Sequence, residues 1–189
     1  MRKKTFLQIA SLIVIVFIFQ SCNKTNKFEI NKGKVGEITT KTTVEELKTI
    51  FKNDSIVSNL SEGALGDNYF QEDDEYKIFE KGGKHLLTII PKQQLDSTST
   101  IKSIEIHDKR FTTDTDLNLN ATFSEINANN NINKIESTFS TAILFINDFD
   151  ATVVINKEEI GIKSFSTQKV TLEQIPDLAK MKSFVIWFN

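Results

Sequence analysis

The sequence predicts an α+β fold made of two halves, each with one helix followed by about four antiparallel strands. A helix-start pattern, threonine followed three residues later by glutamate, occurs at Thr43 and again at Thr122. At nearly equal distances after these two patterns come similar alternating segments, residues 101–106 and 181–186. The same order at the same spacing indicates an internal duplication.

In the first half, residues 35–113, the helix places Val44, Leu47, Ile50 and Phe51 on one face. Apolar runs then predict strands at residues 55–60, 76–79, 86–90 and 101–106. Lys81 to Lys84, with two central glycines, is typical of a hairpin turn between the second and third strands.

In the second half, residues 114–189, the helix after Thr122 is short, because an asparagine-rich tract at 127–133 ends it. The predicted strands are residues 141–146, 151–155, 160–165 and 181–186. A third helix-start pattern at Thr171 runs into Pro176 and predicts at most a short helix.

The N-terminus has the layout of a secretory signal. Three basic residues, Arg2, Lys3 and Lys4, precede an apolar run at 12–19, and Ser21 lies directly before Cys22. The apolar run is shorter than the roughly 20 residues that span a bilayer. We therefore predict cleavage after residue 21.

Cys22, the single cysteine, gives this boundary a resemblance to the lipobox of Bacteroidota-type bacterial lipoproteins. Phe19 stands where that motif usually has leucine, and Gln20 where a small residue is common. The resemblance implies a signal peptide at 1–21, lipid on Cys22 with a tether at 22–34, and a folded domain at 35–189. The absence of acids at 23–27 implies an outer-membrane protein that faces the periplasm. The alternative is an ordinary signal peptide with an incidental cysteine.

The predicted architecture of the mature chain resembles that of the β-lactamase inhibitor protein family and of small outer-membrane assembly lipoproteins. It equally resembles uncharacterised envelope lipoproteins. No residue motif carries either resemblance, so neither implies a functional residue.

Composition excludes several classes of function. The net charge of −2 argues against a nucleic-acid partner, which needs a basic surface. Glycine-rich phosphate loops, nucleophile elbows and paired-histidine metal helices are absent from the sequence, so we expect no cofactor. A single cysteine, once lipidated, leaves no thiol for a disulfide or for catalysis.

The sharpest local pattern is a series of oxygen-bearing residues spaced like a calcium loop. Its members are Asp114, Asp116, Asn118, Asn120, Thr122 and Glu125. Leu119 stands where such a loop requires glycine for its turn. The simpler interpretation is that Glu125 closes a capping box with Thr122, so these residues are metal candidates only and we expect no metal.

Three other sets of residues invite a functional interpretation. The acidic run at 72–75 suits a cation or a basic partner, but is also typical of a solvated loop. His85 and His107 lack a nearby nucleophile or metal spacing, so we expect them to be exposed. Trp187, with Phe184 and Phe188, either lines a ligand site or packs within and beside a strand.

These observations favour a non-enzymatic lipoprotein of the cell envelope that binds an envelope protein or another component through its sheet. One alternative is a hydrolase or a carbohydrate-binding protein whose site is dispersed in sequence. Another is a periplasmic inhibitor or immunity protein, suggested by the architecture alone. A structure would distinguish these hypotheses. An exposed apolar sheet face would favour a protein that binds a partner, and a histidine in a deep pocket would favour an enzyme.

Overall fold

The computed structural model describes residues 26–61 and 73–189. The predicted signal peptide and Cys22 lie outside these ranges, as does Glu72 of the acidic run. The twelve described strands are β1 (Glu29–Asn31), β2 (Lys34–Val35), β3 (Ile38–Thr39), β4 (Ser55–Asn59), β5 (Glu75–Phe79), β6 (His85–Pro91), β7 (Ile101–Ile106), β8 (Thr112–Thr113), β9 (Ile132–Ser137), β10 (Thr141–Ile146), β11 (Ala151–Asn156) and β12 (Ser183–Trp187). The helices in the same ranges are α1 (Leu47–Ile50), α2 (Phe123–Asn129) and two 3₁₀ turns, Lys157–Ile160 and Leu172–Gln174.

The predicted α+β class, with helix-plus-sheet halves, is wrong: the described chain is mostly β-structure. Helix α1 is a single turn of four residues and α2 has seven, too short for either to form a layer of its own. The strands that were assigned to two separate units instead form one continuous sheet. The architecture is therefore two β-sheets with short helices beside them.

The large sheet has eight antiparallel strands in the order β4-β5-β6-β7-β12-β11-β10-β9. Strands β7 and β12 meet at its centre, where Val185 lies opposite Glu105. Within each group of four, strands that are consecutive in sequence are neighbours in the sheet, so each group is a meander. The sheet carries the longest strands of the described chain and sets the shape of the protein.

The small sheet has the order β3-β2-β1-β8 and is built from strands of two or three residues. Strand β1 runs parallel to β8, with Ile30 opposite Thr113. Ile30 is fully buried in β1. A first strand starting at Phe28 and Ile30 was expected within the predicted tether, residues 22–34. The described part of that segment, from Asn26 onward, thus contributes to the fold.

One face of the large sheet is the core. Alternate residues of its strands, among them Ile78, Ile104, Leu144, Val153 and Phe184, point to this face and are fully buried. The small sheet and the short helices cover it, and their side chains join the same apolar cluster: Ile30, Val35, Ile38, Leu47, Phe111, Phe123 and Ile126. The other face of the large sheet contributes the candidate site.

Of the two predicted helix starts, the one at Thr122 is confirmed and the one at Thr43 is wrong. Thr122 is the N-cap of α2 in a complete capping box with Glu125, as predicted. The N-cap of α1 is Glu46 and not Thr43, because the Leu47 N–H donates to the Val44 carbonyl three residues back, so a tight turn precedes the α-helical hydrogen bonds. Leu172–Gln174 is the short helix expected after Thr171.

Residues 160–165, predicted as a strand, do not form one. Gly161 ends the preceding 3₁₀ turn in the left-handed conformation, at φ +79°. Conversely, strand β9 occupies residues that were assigned in part to the asparagine-rich helix end. Among the described helices, none has the length and apolar character to cross a membrane.

Candidate functional site

The candidate site is the face of the large sheet opposite the core, which we call the open face. Strand register places on it the half-buried apolar side chains of Phe79, Ile143, Phe145, Val154, Val185 and Trp187. All six lie outside the apolar core cluster. Among them stand polar side chains, chiefly Lys77, Thr88, Glu105 and Thr152.

One end of the open face holds both histidines. The rings of His85 and His107 are stacked with their centroids 3.8 Å apart, and Phe79 stacks on the other side of His85 at 4.7 Å. Sequence reasoning expected these histidines to be exposed, but both are half-buried. The signal was present in the topology: His85 begins β6 and His107 follows β7, and the two strands are antiparallel neighbours.

Thr88 fixes the positions of the two imidazoles. Its Oγ1 lies 3.2 Å from His85 Nε2 and 2.9 Å from His107 Nε2. His85 Nε2 also lies 3.1 Å from the carbonyl oxygen of Leu87. These contacts are satisfied when His85 Nε2–H donates to Leu87 and the Thr88 hydroxyl donates to His107 Nε2, an assignment made from the hydrogen-bond network.

Burial keeps both imidazoles neutral at physiological pH. Desolvation lowers the pKa of His107 to about 4, with help from His85 and Lys77. Desolvation is also the main cause that lowers the pKa of His85. Burial and the nearby Glu75 raise the pKa of the Glu105 carboxyl, whose Oε2 is 3.7 Å from His107 Nε2.

The histidine cluster does not have the geometry of a metal site. Within the described chain, no set of three histidine, cysteine or acidic side chains is placed to hold a metal ion. Three depressions of the described surface, two of which are discussed below, are lined by neither histidine. A stacked, neutral imidazole pair on a flat face offers aromatic surface and hydrogen bonds, which suits binding.

The opposite end of the open face holds a depression of about 290 Å³ beside the single tryptophan. Phe145 and Trp187 line it together with Asn133, Asn147 and Asp150. The Trp187 indole is held in place because its Nε1 donates to Thr152 Oγ1 at 3.1 Å. The predicted companions of Trp187 do not reach the site, since Phe184 and Phe188 are buried in the core.

The calcium candidates form part of a separate depression of about 330 Å³, lined by Asp116, Asn118, Asn120 and Glu125. Asp114 is exposed and is not among the lining residues. The Glu125 carboxylate is already engaged, since its Oε2 accepts from the Thr122 N–H at 2.7 Å and from the Thr122 hydroxyl at 2.9 Å. These contacts lower the pKa of Glu125.

The acidic run before β5 has a structural role in its described part. Asp74 is buried, which corrects the expectation of a solvated loop. Its carboxylate accepts from the Ser61 N–H at 2.8 Å and from the Leu95 N–H at 2.6 Å. Asp74 thereby joins the chain after β4 to the loop between β6 and β7.

A second buried carboxylate, Asp108, organises the chain after β7. It accepts from Arg110 Nε at 2.8 Å and pairs with Lys84 Nζ at 2.9 Å. Arg110 also pairs with Glu80 at 2.8 Å and stacks over the ring of Phe28 at 4.3 Å. Although burial acts in the opposite direction, the hydrogen bonds from Arg110 and Lys84 lower the pKa of Asp108 to about 2.

Comparison with known proteins adds a fold and no activity. No family model matches the chain, and no curated protein matches it significantly. The crystal structure of the uncharacterized protein yfeY from Escherichia coli is similar, with a TM-score of 0.53. The similarity covers 86% of this chain and 99% of that chain at 12% sequence identity. At this identity the likeness extends to the fold alone.

Proposed function

We propose that this chain is a non-enzymatic lipoprotein of the cell envelope, anchored through lipid on Cys22, which binds another envelope protein with its open face. The signal-like N-terminus supports the anchor, and the lack of acids at 23–27 supports a periplasmic orientation at the outer membrane. We propose neither a nucleic-acid partner nor a cofactor.

The observation that carries the binding role is the row of apolar side chains on the open face. Phe145, Ile143, Val154, Val185 and Trp187 are only half-buried although they lie in the middle of a regular sheet. Partly exposed apolar and aromatic side chains on one sheet face, with charged side chains among and beside them, are typical of protein interaction sites. The charges here include the ion pairs Lys77–Glu75 and Lys134–Glu136.

Two variants test the two parts of the proposal. Cys22→Ser should release the protein from the membrane fraction or leave it unprocessed, and labelled fatty acid retained on that variant would contradict the anchor. Val185→Glu puts a charge in the middle of the open face and should abolish co-purification of a partner from detergent-solubilised envelope.

The matched control is Leu178→Glu, because Leu178 is apolar and exposed but lies away from the open face. It should co-purify the same partner as the wild type. Equal partner recovery with Val185→Glu and Leu178→Glu would contradict binding through the open face. Circular dichroism of both variants must first establish that they are folded.

A carbohydrate-binding role is the second candidate, and the depression beside Trp187 is the observation that favours it. An aromatic ring with amide side chains around it suits the apolar face and hydroxyl groups of a sugar. Because Trp187 is the only tryptophan, its fluorescence reports on this depression directly. An unchanged emission spectrum with chitotetraose and with maltotetraose would exclude binding of these two sugars.

A further inference from the structure

The two ends of the large sheet differ in what they carry. We call basal the end at which Ser55, Phe79, His85, Ile106, Ser137, Asn156 and Ser183 lie, and apical the end at which Asn59, Glu75, Ile101, Ile146 and Trp187 lie. The register of the antiparallel strands defines both groups.

The N-terminal chain enters the described structure at the basal end. Lys27 Nζ pairs with Asp54 at 2.8 Å, and Asp54 directly precedes the basal residue Ser55. Four positions separate Cys22 from Asn26, and an extended chain covers at most about 3.5 Å per residue. A lipid on Cys22 would therefore hold the entry point at the basal end within about 14 Å of the membrane surface.

The basal end also carries the two most exposed phenylalanines of the described chain. Phe139 lies in the turn between β9 and β10 and is 65% exposed; Phe165 lies in the loop after β11 and is 85% exposed. The Ser166 N–H donates to the Phe139 carbonyl at 3.1 Å. This hydrogen bond connects the two loops, so Phe139 and Phe165 lie on loops that are held together.

A buried lysine holds the loop in this form. The Lys157 side chain is fully buried, and its Nζ donates to the carbonyls of Ser166 at 2.6 Å and Gln168 at 2.7 Å. Phe165 adopts a left-handed backbone at φ +61°, which is unfavourable for a side chain of its size. Strain of this kind persists only where the surrounding structure imposes it, and it is found preferentially at functional positions.

Most of the exposed charged side chains at the basal end are lysines. Lys52, Lys81, Lys109 and Lys163 are exposed there. The carboxylates of Asp54, Glu80 and Asp108 are paired with cationic side chains. Three exposed acids oppose this charge. Glu37 lines a depression with Lys27 and Asp54, Glu158 accepts from the Ser164 hydroxyl at 2.6 Å, and Glu159 accepts from the Lys180 N–H at 3.4 Å.

We propose that the basal end is a membrane-docking surface for an anionic lipid bilayer, with Phe139 and Phe165 inserted at the headgroup level. Two aromatic side chains on loops suit insertion into a bilayer, where basic residues nearby add attraction to anionic lipid. They are too small a surface for a stable protein interface, which buries well over 1,000 Å² as an order of magnitude. Docking at this end would direct the strands away from the membrane and leave the open face accessible from the side.

This inference rests on the proposed anchor, and the test separates the two. The lipidated chain is purified and reconstituted into vesicles of phosphatidylethanolamine and phosphatidylglycerol that contain dibrominated phosphatidylcholine, a short-range quencher of tryptophan fluorescence. Phe165→Trp and Phe139→Trp are each made together with Trp187→Phe, so that each protein has one tryptophan. Vesicle flotation first measures how much protein is membrane-bound.

Two controls report on the apical end. One is the unsubstituted protein, whose native Trp187 is apical. The other is Leu95→Trp with Trp187→Phe, because Leu95 follows β6 at the apical end, is 65% exposed and has a left-handed backbone, like Phe165. We expect brominated lipid to reduce emission from positions 165 and 139 by about half, and to leave both apical positions unchanged.

Protein that does not float with the vesicles would overturn the anchor and the docking surface together. Protein that floats, but with no quenching at positions 165 and 139, would overturn the docking surface and leave the anchor standing. Equal quenching at positions 165 and 95 would also overturn it, because docking would then lack the proposed orientation.

Discussion

The imidazole rings of His85 and His107 lie face to face, 3.8 Å apart between centroids and 18° between planes. Two charged imidazoles would repel each other at this distance, so the arrangement requires that at least one stays neutral. Lys77 adds a further positive charge nearby, while Glu105 opposes it. The pair therefore links the stability of the open face to pH.

Lowering the pH from 7 to 5 should destabilise the protein by about 2 kcal/mol through His107 alone. Its folded pKa of about 4 lies below the ordinary value of 6.5, so in this window the unfolded chain binds a proton that the folded chain does not. Urea unfolding at the two pH values measures the loss. The lowered pKa of His85 acts in the same direction.

The chain has two histidines, so His85→Gln with His107→Gln removes all imidazole titration. We expect the loss of stability between pH 7 and 5 to be abolished in this double variant. The raised pKa of Glu105 acts in the opposite direction, because the folded chain then binds more protons than the unfolded chain as the pH falls. An unchanged slope would contradict the role assigned to the stacked pair.

Asp108→Asn should destabilise the protein at pH 7 by about 2 kcal/mol, because the neutral amide no longer forms the ion pairs with Arg110 and Lys84. The pKa of Asp108 is lowered from 3.8 to about 2, so its contribution is complete above pH 5 and is lost as the pH falls. The difference in free energy of unfolding between the wild type and Asp108→Asn should therefore become smaller by about 1 kcal/mol when the pH is lowered from 5 to 3. Asp114→Asn, at an exposed position, is the control and should change little.

Lys157→Met should lower the free energy of unfolding by about 2 kcal/mol, because the carbonyls of Ser166 and Gln168 lose their donor. Hydrogen exchange should increase at residues 162–168 and not in the large sheet. The matched control is Lys169→Met, since Lys169 is exposed in the same loop. Equal stability of the two variants would contradict the role of the buried lysine.

Millimolar calcium should leave the melting temperature unchanged, because the Glu125 carboxylate is bound to Thr122 at the start of α2. A ligand that binds only the folded state must raise the melting temperature. An increase of several degrees that disappears with Asp114→Ala and Asp116→Ala would show that the loop is a calcium site after all. Thr122→Ala should lower the free energy of unfolding by about 1 kcal/mol whether or not calcium binds, because α2 loses its N-cap.

Local patterns in the sequence predicted the strands well where apolar residues alternate. Residues 101–106 and 141–146 match β7 and β10 to the residue, and the turn at 81–84 joins β5 to β6 as expected. Strand β9 was missed because it is an edge strand whose outward side chains include Lys134 and Glu136. A half-solvated edge needs little apolar content, so periodicity does not reveal it.

The fold class and the histidine pair were missed because both depend on contacts that are distant in sequence. The N–H groups of Val44 and Glu45 bond to the loop before β7, and those of Phe123 and Ser124 bond to the chain before β12, so each short helix is attached to the large sheet and forms no layer of its own. Similarly, nothing near His85 in sequence indicates His107; the register of β6 against β7 brings them together. Local propensity cannot report such pairings.

Site-specific photo-crosslinking in growing cells tests the central claim most directly. Benzoylphenylalanine placed at Phe145 or at Val185 lies on the open face, and the same probe at Leu178 or at Lys48 lies off it. The account predicts that the two open-face positions yield the same adduct with one envelope protein and that positions 178 and 48 do not. Adducts from positions 178 and 48 alone, or none from positions 145 and 185, would contradict it.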